Sequence, residues 1–222
     1  MCVSLEVSLV ALVVSIGACV YLFRRGRPGD KQLSLMFGFI GLMQLLEALM
    51  WLDQKCGDLN HCATHVARLQ NAFQPLVSLL MAFMFARDEA ASAKLPLLLI
   101  FALYAYASLP SIMNAPIGCS QPCEGSKQGL SWTYTTGSSG TPWTWWVFTL
   151  ALVAPLYTLP QNRWTFIAVS VGIWLLSILV GKLRCGANGV GAEGSLWCLM
   201  GAFVPLLAIF LNRPENGRCE WE

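Results

Sequence analysis

Blocks of about 20 apolar residues recur along the chain and constrain its fold more than any other feature. A helix of that length spans the hydrocarbon core of a bilayer, which is roughly 30 Å thick. Seven blocks can be counted, over 3–23, 32–52, 66–86, 95–113, 143–159, 164–181 and 194–212. Only 12% of the residues are charged, against roughly 25% in globular domains. We therefore predict an all-α integral membrane protein with seven transmembrane helices, in which residues 1–222 form a single membrane domain.

The distribution of Lys and Arg predicts the orientation of these helices, because positively charged loops stay cytoplasmic. Nine of the 14 basic residues fall on one predicted side and five on the other, and the cluster Arg24-Arg25-Gly26-Arg27 contributes most to the difference. We predict the N-terminus outside and the C-terminus in the cytoplasm, in the plasma membrane or a membrane of the secretory pathway. The net charge of +2 and the lack of a long basic run exclude nucleic acid as a partner.

Six of the nine cysteines fall on the predicted outer side, where an oxidising compartment favours disulfides. These disulfide candidates are Cys2, Cys56, Cys62, Cys119, Cys123 and Cys185. The alternative is a zinc site formed by Cys56 and Cys62 with the neighbouring His61 and His65. Their spacing matches none of the usual tetrahedral patterns. The sequence therefore favours disulfides, and we predict neither a metal nor another cofactor.

The outer loop over 114–142 is long for a compact membrane protein. Its second half alternates large and small side chains over 130–135, and the glycines and serines over 137–140 are typical of a turn. A returning strand over 141–146 would complete a hairpin. The tryptophans of that strand would then lie at the level of the lipid headgroups, where tryptophan is enriched, or would form a lid over an outer vestibule; they are Trp143, Trp145 and Trp146.

A short sequence match suggests an internal duplication. The motif AFQPL, which begins at Ala72, is followed 130 residues later by AFVPL, which begins at Ala202. The match predicts two parallel three-helix repeats, over 3–86 and 143–212, joined by a linker helix over 95–113. Chance is the competing explanation in a chain so rich in leucine. This plan of three, one and three helices resembles the architecture of the SWEET and PQ-loop transporters and of the KDEL receptor.

An acidic residue inside a predicted span is the main functional signal. An acidic group at the centre of a membrane helix costs roughly 2.5–3.5 kcal/mol on insertion scales, and Glu47 lies within the second block. Gln44 and Trp51 share its helix face, because they lie three and four residues away. The third block contributes further polar residues, and Pro75 frees the carbonyl of the residue four positions earlier. We expect these residues to cluster with Glu47; they are Arg68, Asn71 and Gln74.

Two interpretations compete for this cluster. In the first, its residues line a path for a small solute or ion, and Glu47 binds a cation or carries a proton. In the second, they are hydrogen-bonding glue between two helices, and Glu47 is protonated or paired to Arg68. An enzyme is not expected, because the motifs HExxH and GxSxG and a phosphate-binding glycine loop are all absent from the sequence.

The sequence therefore predicts a small polytopic transporter or channel for a small solute or ion. Its predicted pathway residues are Gln44, Glu47, Trp51, Arg68, Asn71 and Gln74. One alternative is a non-catalytic accessory or scaffold subunit of a larger membrane assembly. Another is a seven-span receptor that binds a ligand in an outer vestibule, although short cytoplasmic loops offer it little surface for signalling. The expected partners are membrane lipid and the solute or ion, and either a homo-oligomer or a larger assembly fits the sequence.

Overall fold

The computed structural model describes residues 4–86, 92–122, 130–132, 142–185 and 192–212. Within these residues the chain is mostly helical, and each of the seven predicted blocks coincides with a helical segment. Five segments are long and apolar enough to cross a membrane: Leu5–Arg25, Asp30–Leu52, Lys94–Asn114, Arg163–Leu183 and Gly194–Leu211. The predicted helical class is therefore confirmed, together with five candidate membrane spans.

The first half of the chain forms four helices: α1 (Leu5–Arg25), α2 (Asp30–Gly41), α3 (Met43–Leu52) and α4 (Asp58–Phe85). Helix α1 begins after Ser4, whose hydroxyl accepts a hydrogen bond from the Val7 N–H. It ends at Gly26, which adopts a left-handed φ of 65° that glycine tolerates best. Leu42 alone separates α2 from α3, so the two helices form one continuous segment, Asp30–Leu52.

After residue 92 the described part of the chain contains six α-helices: α5 (Lys94–Ala107), α6 (Leu109–Asn114), α7 (Pro142–Val153), α8 (Arg163–Cys185), α9 (Ala192–Gly201) and α10 (Val204–Leu211). Prolines explain three of the breaks, because proline has no N–H to donate to the preceding turn. Pro110 lies in the first turn of α6 and Pro205 in the first turn of α10. Pro155 opens a 3₁₀ turn, Ala154–Thr158, that continues from α7.

Two of the seven predicted spans fall outside the five candidates. Helix α4 is long enough, at 28 residues, but polar residues around Asn71 and Gln74 lower its mean hydropathy. Helix α7 has only 12 residues before the 3₁₀ turn begins. Seven membrane crossings and the two three-helix repeats therefore stay predictions.

The outer loop differs from the predicted hairpin. Strand β1 (Gln121–Pro122) pairs antiparallel with strand β2 (Leu130–Ser131). The predicted return strand over 141–146 is wrong, because helix α7 begins at Pro142 and carries the three tryptophans of that stretch. Proline suits the start of a helix, where its missing N–H would have no partner in any case. The predicted turn over 137–140 lies outside the described residues.

The Asp30–Leu52 segment lies at the centre of the bundle. Helix α1 packs against both of its helices, α4 packs along another side, and α9 and α10 also contact it. Many of its large apolar side chains are buried and form much of the core; among the fully buried ones are Phe37, Ile40, Met43 and Met50. Helices α5 and α8 lie nearer the periphery, where α5 packs on α7 and α8 packs on α9. The segment with the predicted acidic site is thus the one most enclosed by protein.

Candidate functional site

Glu47 and Gln44 form the first part of the site, on helix α3. Both side chains are fully buried. The Gln44 Nε2 atom donates a hydrogen bond to Glu47 Oε2 over 2.8 Å, as expected for residues three apart on one helix face. Trp51 continues that face and is half-buried. In the described part of the chain its indole N–H finds no hydrogen-bond partner.

Helix α4 supplies two buried amides, Asn71 and Gln74, which are 3% and 1% exposed. Gln74 Nε2 lies 3.9 Å from the sulfur of Cys198 on helix α9 and donates to it. Within the described residues, Gln74 Oε1 accepts no hydrogen bond. Leaving a polar group buried without a partner costs about 1–3 kcal/mol. The amide oxygen of Gln74 is therefore a group that a polar ligand would satisfy.

Cys198 brings a third helix to the site and was not predicted from the sequence. It is fully buried and lies close enough to the Glu47 carboxylate for an electrostatic interaction. A single cysteine in an apolar helix gives no signal for such a position, because cysteine is also a common core residue. The site is therefore a central polar cluster from α3, α4 and α9, defined here by Gln44, Glu47, Trp51, Asn71, Gln74 and Cys198.

Arg68 was predicted to belong to the cluster, but its guanidinium is directed elsewhere. Its Nη1 atom donates to the Met113 carbonyl over 2.8 Å and to the Ala115 carbonyl over 3.2 Å. Arg68 thus ties α4 to the end of α6, whose last carbonyls lack partners within the helix. The pairing of Glu47 with Arg68 that the sequence left open is not formed. Arg68 stays a predicted pathway residue without a contact to the acid.

Pro75 interrupts the hydrogen bonding of α4 next to the cluster, as its position predicts. Without a proline N–H, the Asn71 carbonyl loses its usual partner within the helix. The adjacent carbonyl, that of Ala72, accepts a hydrogen bond from the buried Tyr104 hydroxyl over 2.7 Å. Tyr104 therefore fixes α5 against α4 one residue beyond the break.

A buried ion pair closes the Asp30 end of the central segment. Arg25 meets the fully buried Asp30 in a bidentate geometry, with N–O distances of 2.6 and 2.8 Å. Arg25 also donates to the carbonyls of Ala208 and Ile209 in the last turn of α10, where carbonyls run out of partners within the helix; the Ala208 carbonyl also accepts from the Asn212 N–H. The sequence pointed to Arg25 only as one of several basic residues that set topology. Its contacts join α1, α2 and α10.

Asn60 organises the opposite end, beyond Leu52. Its Nδ2 atom donates to the carbonyls of Met50, Asp53 and Ser120 over 3.0–3.2 Å, and its Oδ1 atom accepts from the Ser120 N–H over 2.9 Å. The Ser120 hydroxyl lies 2.9 Å from that of Thr64. These bonds tie the end of α3 and the start of α4 to the loop that follows α6.

The disulfide between Cys56 and Cys119 reinforces that end. Both cysteines were disulfide candidates, so part of that prediction is confirmed and their pairing is now known. Cys62 is a free, exposed thiol on α4, so it does not form the disulfide for which it was a candidate. Cys2 and Cys123 lie outside the described residues, as does the side chain of Cys185.

The disulfide also rules out the alternative zinc site at this end of the molecule. Cys56 is bonded to Cys119 and cannot act as a thiolate ligand beside His61 and His65. Among the described residues, no three His, Cys, Asp or Glu side chains come together in a way that could hold a metal.

A lateral groove of about 610 Å³ lies apart from the central polar cluster, between α5, α7 with its 3₁₀ turn, and α8. Most of its lining is apolar, with Ile100, Leu150, Val153 and Val171 among the contributing side chains. None of the residues that define the central polar cluster lines it. The groove and the central polar cluster are therefore two separate candidate sites.

Comparison with protein families, with curated proteins and with solved structures found no match to this chain. The architectural resemblance noted from the sequence gains no support from these comparisons. The central polar cluster and the groove are therefore the features of this chain that bear on its function.

Proposed function

We propose that this chain is a small membrane transporter that crosses the bilayer seven times, with its N-terminus outside, and moves a small cation or a proton-coupled solute through the central polar cluster. The observation that carries this proposal is the fully buried Glu47 carboxylate, in one cluster with the Gln74 amide, whose oxygen accepts no hydrogen bond within the described residues. An ionisable residue enclosed by membrane helices is a functional site by default, because insertion disfavours it.

The chemistry of the cluster favours a cation or a proton. Carboxylate and amide oxygens are the ligands that hard cations prefer, and Glu47 and Gln74 supply both types. Gln44 donates to one carboxylate oxygen of Glu47 and thereby holds the side chain in one orientation. The same carboxylate can carry a proton when it turns to a different partner. Trp51 adds an aromatic ring and an indole N–H on the helix face that carries Gln44 and Glu47.

The two ends of the central segment support an occluded state. Glu47 lies 17 residues after Asp30 and six before Asp53, which places it about 25 Å and about 9 Å along the helix axis from these ends. The Arg25–Asp30 pair closes the first end, and the Asn60 network closes the second. Alternating access requires one of these networks to open while the other stays closed.

Proteoliposomes made with the purified full-length chain test the proposal. We expect an imposed pH or Na⁺ gradient to drive a flux that an internal pH-sensitive dye or ²²Na⁺ uptake records. Glu47→Gln keeps the size of the side chain and removes its charge, so we expect the flux to fall at least about tenfold, which corresponds to about 1.4 kcal/mol in the transport barrier. Glu6→Gln is the matched control, because Glu6 is an exposed acid on α1.

A robust flux that Glu47→Gln leaves unchanged would remove Glu47 from the mechanism. If the wild-type chain gives no flux and purifies from its native membrane with a stoichiometric partner, the accessory-subunit alternative replaces the transporter. If the Glu47→Gln variant folds as well as the wild type and transports at the control rate, the cluster has only a structural role, as hydrogen bonds between helices.

A further inference from the structure

We propose that the lateral groove is a lipid site that holds one acyl chain of an anionic glycerophospholipid, with the phosphate on Arg163 and Lys94. This inference does not depend on transport through the central polar cluster. It rests on the length of the groove, on its apolar lining and on the placement of charge at one end.

The length of the groove corresponds to one leaflet. Its lining extends from Trp146 to Tyr157 along α7 and the 3₁₀ turn, which is about 16 Å at the helical rise of about 1.5 Å per residue. The hydrocarbon core is roughly 30 Å thick, so the groove covers about half of it. The membrane helix of a partner would need an apolar track across the full thickness, whereas a single acyl chain needs only one leaflet.

The charge at one end matches an anionic headgroup. The Arg163 guanidinium carbon lies 4.8 Å from the centre of the Tyr157 ring, and Tyr157 lines the groove. In the described part of the chain Arg163 makes no ion pair, so its N–H groups can bind a phosphate. Lys94 begins α5 beside the lining residues Ala93 and Pro96 and is exposed. None of the described residues that line the groove is acidic.

The other end of the groove has the opposite character. Trp146 packs against Trp174 with ring centres 4.3 Å apart, and Thr149 turns its hydroxyl to the Trp145 carbonyl of its own helix. This end therefore offers no unpaired charge to a headgroup. A ligand with one charged end and an apolar tail fits the groove in a single direction, with its tail toward Trp146.

Lipid binding to the purified full-length chain tests the headgroup contact. Delipidated protein in detergent is titrated with dioleoylphosphatidylglycerol or dioleoylphosphatidylcholine, and bound lipid is counted by native mass spectrometry. We expect one phosphatidylglycerol per chain. One basic residue near the surface corresponds to about a fivefold change in affinity for anionic lipid, so Arg163→Gln should weaken phosphatidylglycerol about fivefold and leave phosphatidylcholine unchanged. Arg24→Gln, an exposed arginine outside the groove, is the control and should bind as the wild type does.

A second pair of variants tests the groove itself. Val171→Trp fills the groove, and Leu179→Trp adds the same side chain at an exposed position of the same helix. We expect the first to abolish specific binding and the second to retain it. With the unaltered chain, lysophosphatidylglycerol, which has one acyl chain, should compete fully, and glycerol phosphate, which has none, should not.

Each of several results would overturn the proposal. Equal binding of the two phospholipids, or equal effects of Arg163→Gln and Arg24→Gln, would remove the headgroup contact. Wild-type binding by Val171→Trp would place the lipid elsewhere. Competition by glycerol phosphate alone would show a phosphate site without a chain, and a co-purifying polypeptide displaced by Val171→Trp would assign the groove to a protein partner.

Discussion

The Asp30–Leu52 segment and helix α8 have similar lengths and similar apolar character, yet they occupy opposite kinds of position. Their most apolar windows have mean hydropathies of 1.8 and 2.2, but 61% of the first window is buried against 28% of the second. Average apolarity therefore does not decide which helix lies at the centre. The residues on the buried face decide it.

That face carries charged and amide side chains in the central segment, whereas in α8 its polar side chains are the hydroxyls of Ser170 and Ser177. Buried polar side chains along the segment include Asp30, Gln32, Gln44 and Glu47, and helices, not lipid, must satisfy them. In α8 the buried hydroxyl of Ser177 donates to the carbonyl of Ile173 in its own helix. The Ser177 hydroxyl therefore needs no partner from another helix, and most of the apolar window of α8 is not buried by protein.

The largest expected effect comes from breaking the ion pair at the Asp30 end. Arg25→Gln leaves the Asp30 carboxylate buried without its guanidinium, and removing one partner of a buried pair costs about 3–5 kcal/mol. We expect a loss of that size in the free energy of unfolding, measured by denaturant titration in micelles. Arg24→Gln, next in sequence but exposed, should change it by less than about 0.5 kcal/mol.

The double variant Arg25→Met, Asp30→Leu sharpens this test. A buried ion pair replaced by apolar residues of similar volume is often neutral, so the double variant should recover most of the loss. A loss near zero for Arg25→Gln alone would show that the pair does not hold the central segment in place.

The next largest effect is expected for Gln32, whose side chain hydrogen-bonds to a distant segment, in comparison with Ser170, whose side chain does not. Gln32 Nε2 donates to the Pro155 carbonyl over 3.1 Å and to the Thr158 hydroxyl over 3.0 Å. Gln32→Leu should therefore cost about 1–3 kcal/mol. Ser170 on α8 is equally buried, but its hydroxyl has no partner among the described residues, so Ser170→Ala should be neutral. Equal losses in the same unfolding titration would contradict the contrast between the two helices.

The smallest expected effects come from replacing two glycines by alanine. One replacement should lower the stability of the fold and the other should raise it. A Cβ at Gly41 would collide with the Ser15 hydroxyl and come within 3.0 Å of the Ser15 Cβ on α1, so Gly41→Ala should cost about 1 kcal/mol through overpacking. A Cβ at Gly172 on α8 meets nothing within 4 Å. Gly172→Ala should stabilise the protein by up to about 1 kcal/mol, because alanine is the better helix former. Thermal unfolding midpoints of both variants measure the signs.

The sequence predicts local features of the fold better than contacts between distant segments. Seven apolar blocks predict seven helical segments, and a spacing of three predicts that Gln44 and Glu47 share a helix face, because both follow from the geometry of one helix. The pairing of Cys56 with Cys119 could not be chosen among six candidates, since connectivity depends on how distant loops meet.

Other features left no local signal. Cys198 joins Gln74 because α9 and α4 both pack on the central segment. The alternation over 130–135 predicts a return strand over 141–146, but helix α7 begins at Pro142 in its place. The sequence predicts that Arg68 clusters with Glu47, because it lies in the adjacent span. The open carbonyls at the end of α6 offered it hydrogen bonds instead.

The accessibility of Cys198 tests most directly whether a path opens at the central polar cluster. In proteoliposomes, a chain that keeps the Cys56–Cys119 disulfide and has Cys198 as its one free thiol is treated with a water-soluble, membrane-impermeant thiosulfonate. Cys19, which is free and buried outside the cluster, serves as the control in a second single-thiol chain. We predict that Cys198 is modified, that the transported ion slows the modification, and that Cys19 stays unmodified. If Cys198 in the folded protein never reacts while the same chain reacts fully in denaturing detergent, the cluster is a sealed structural contact and the transport proposal is contradicted.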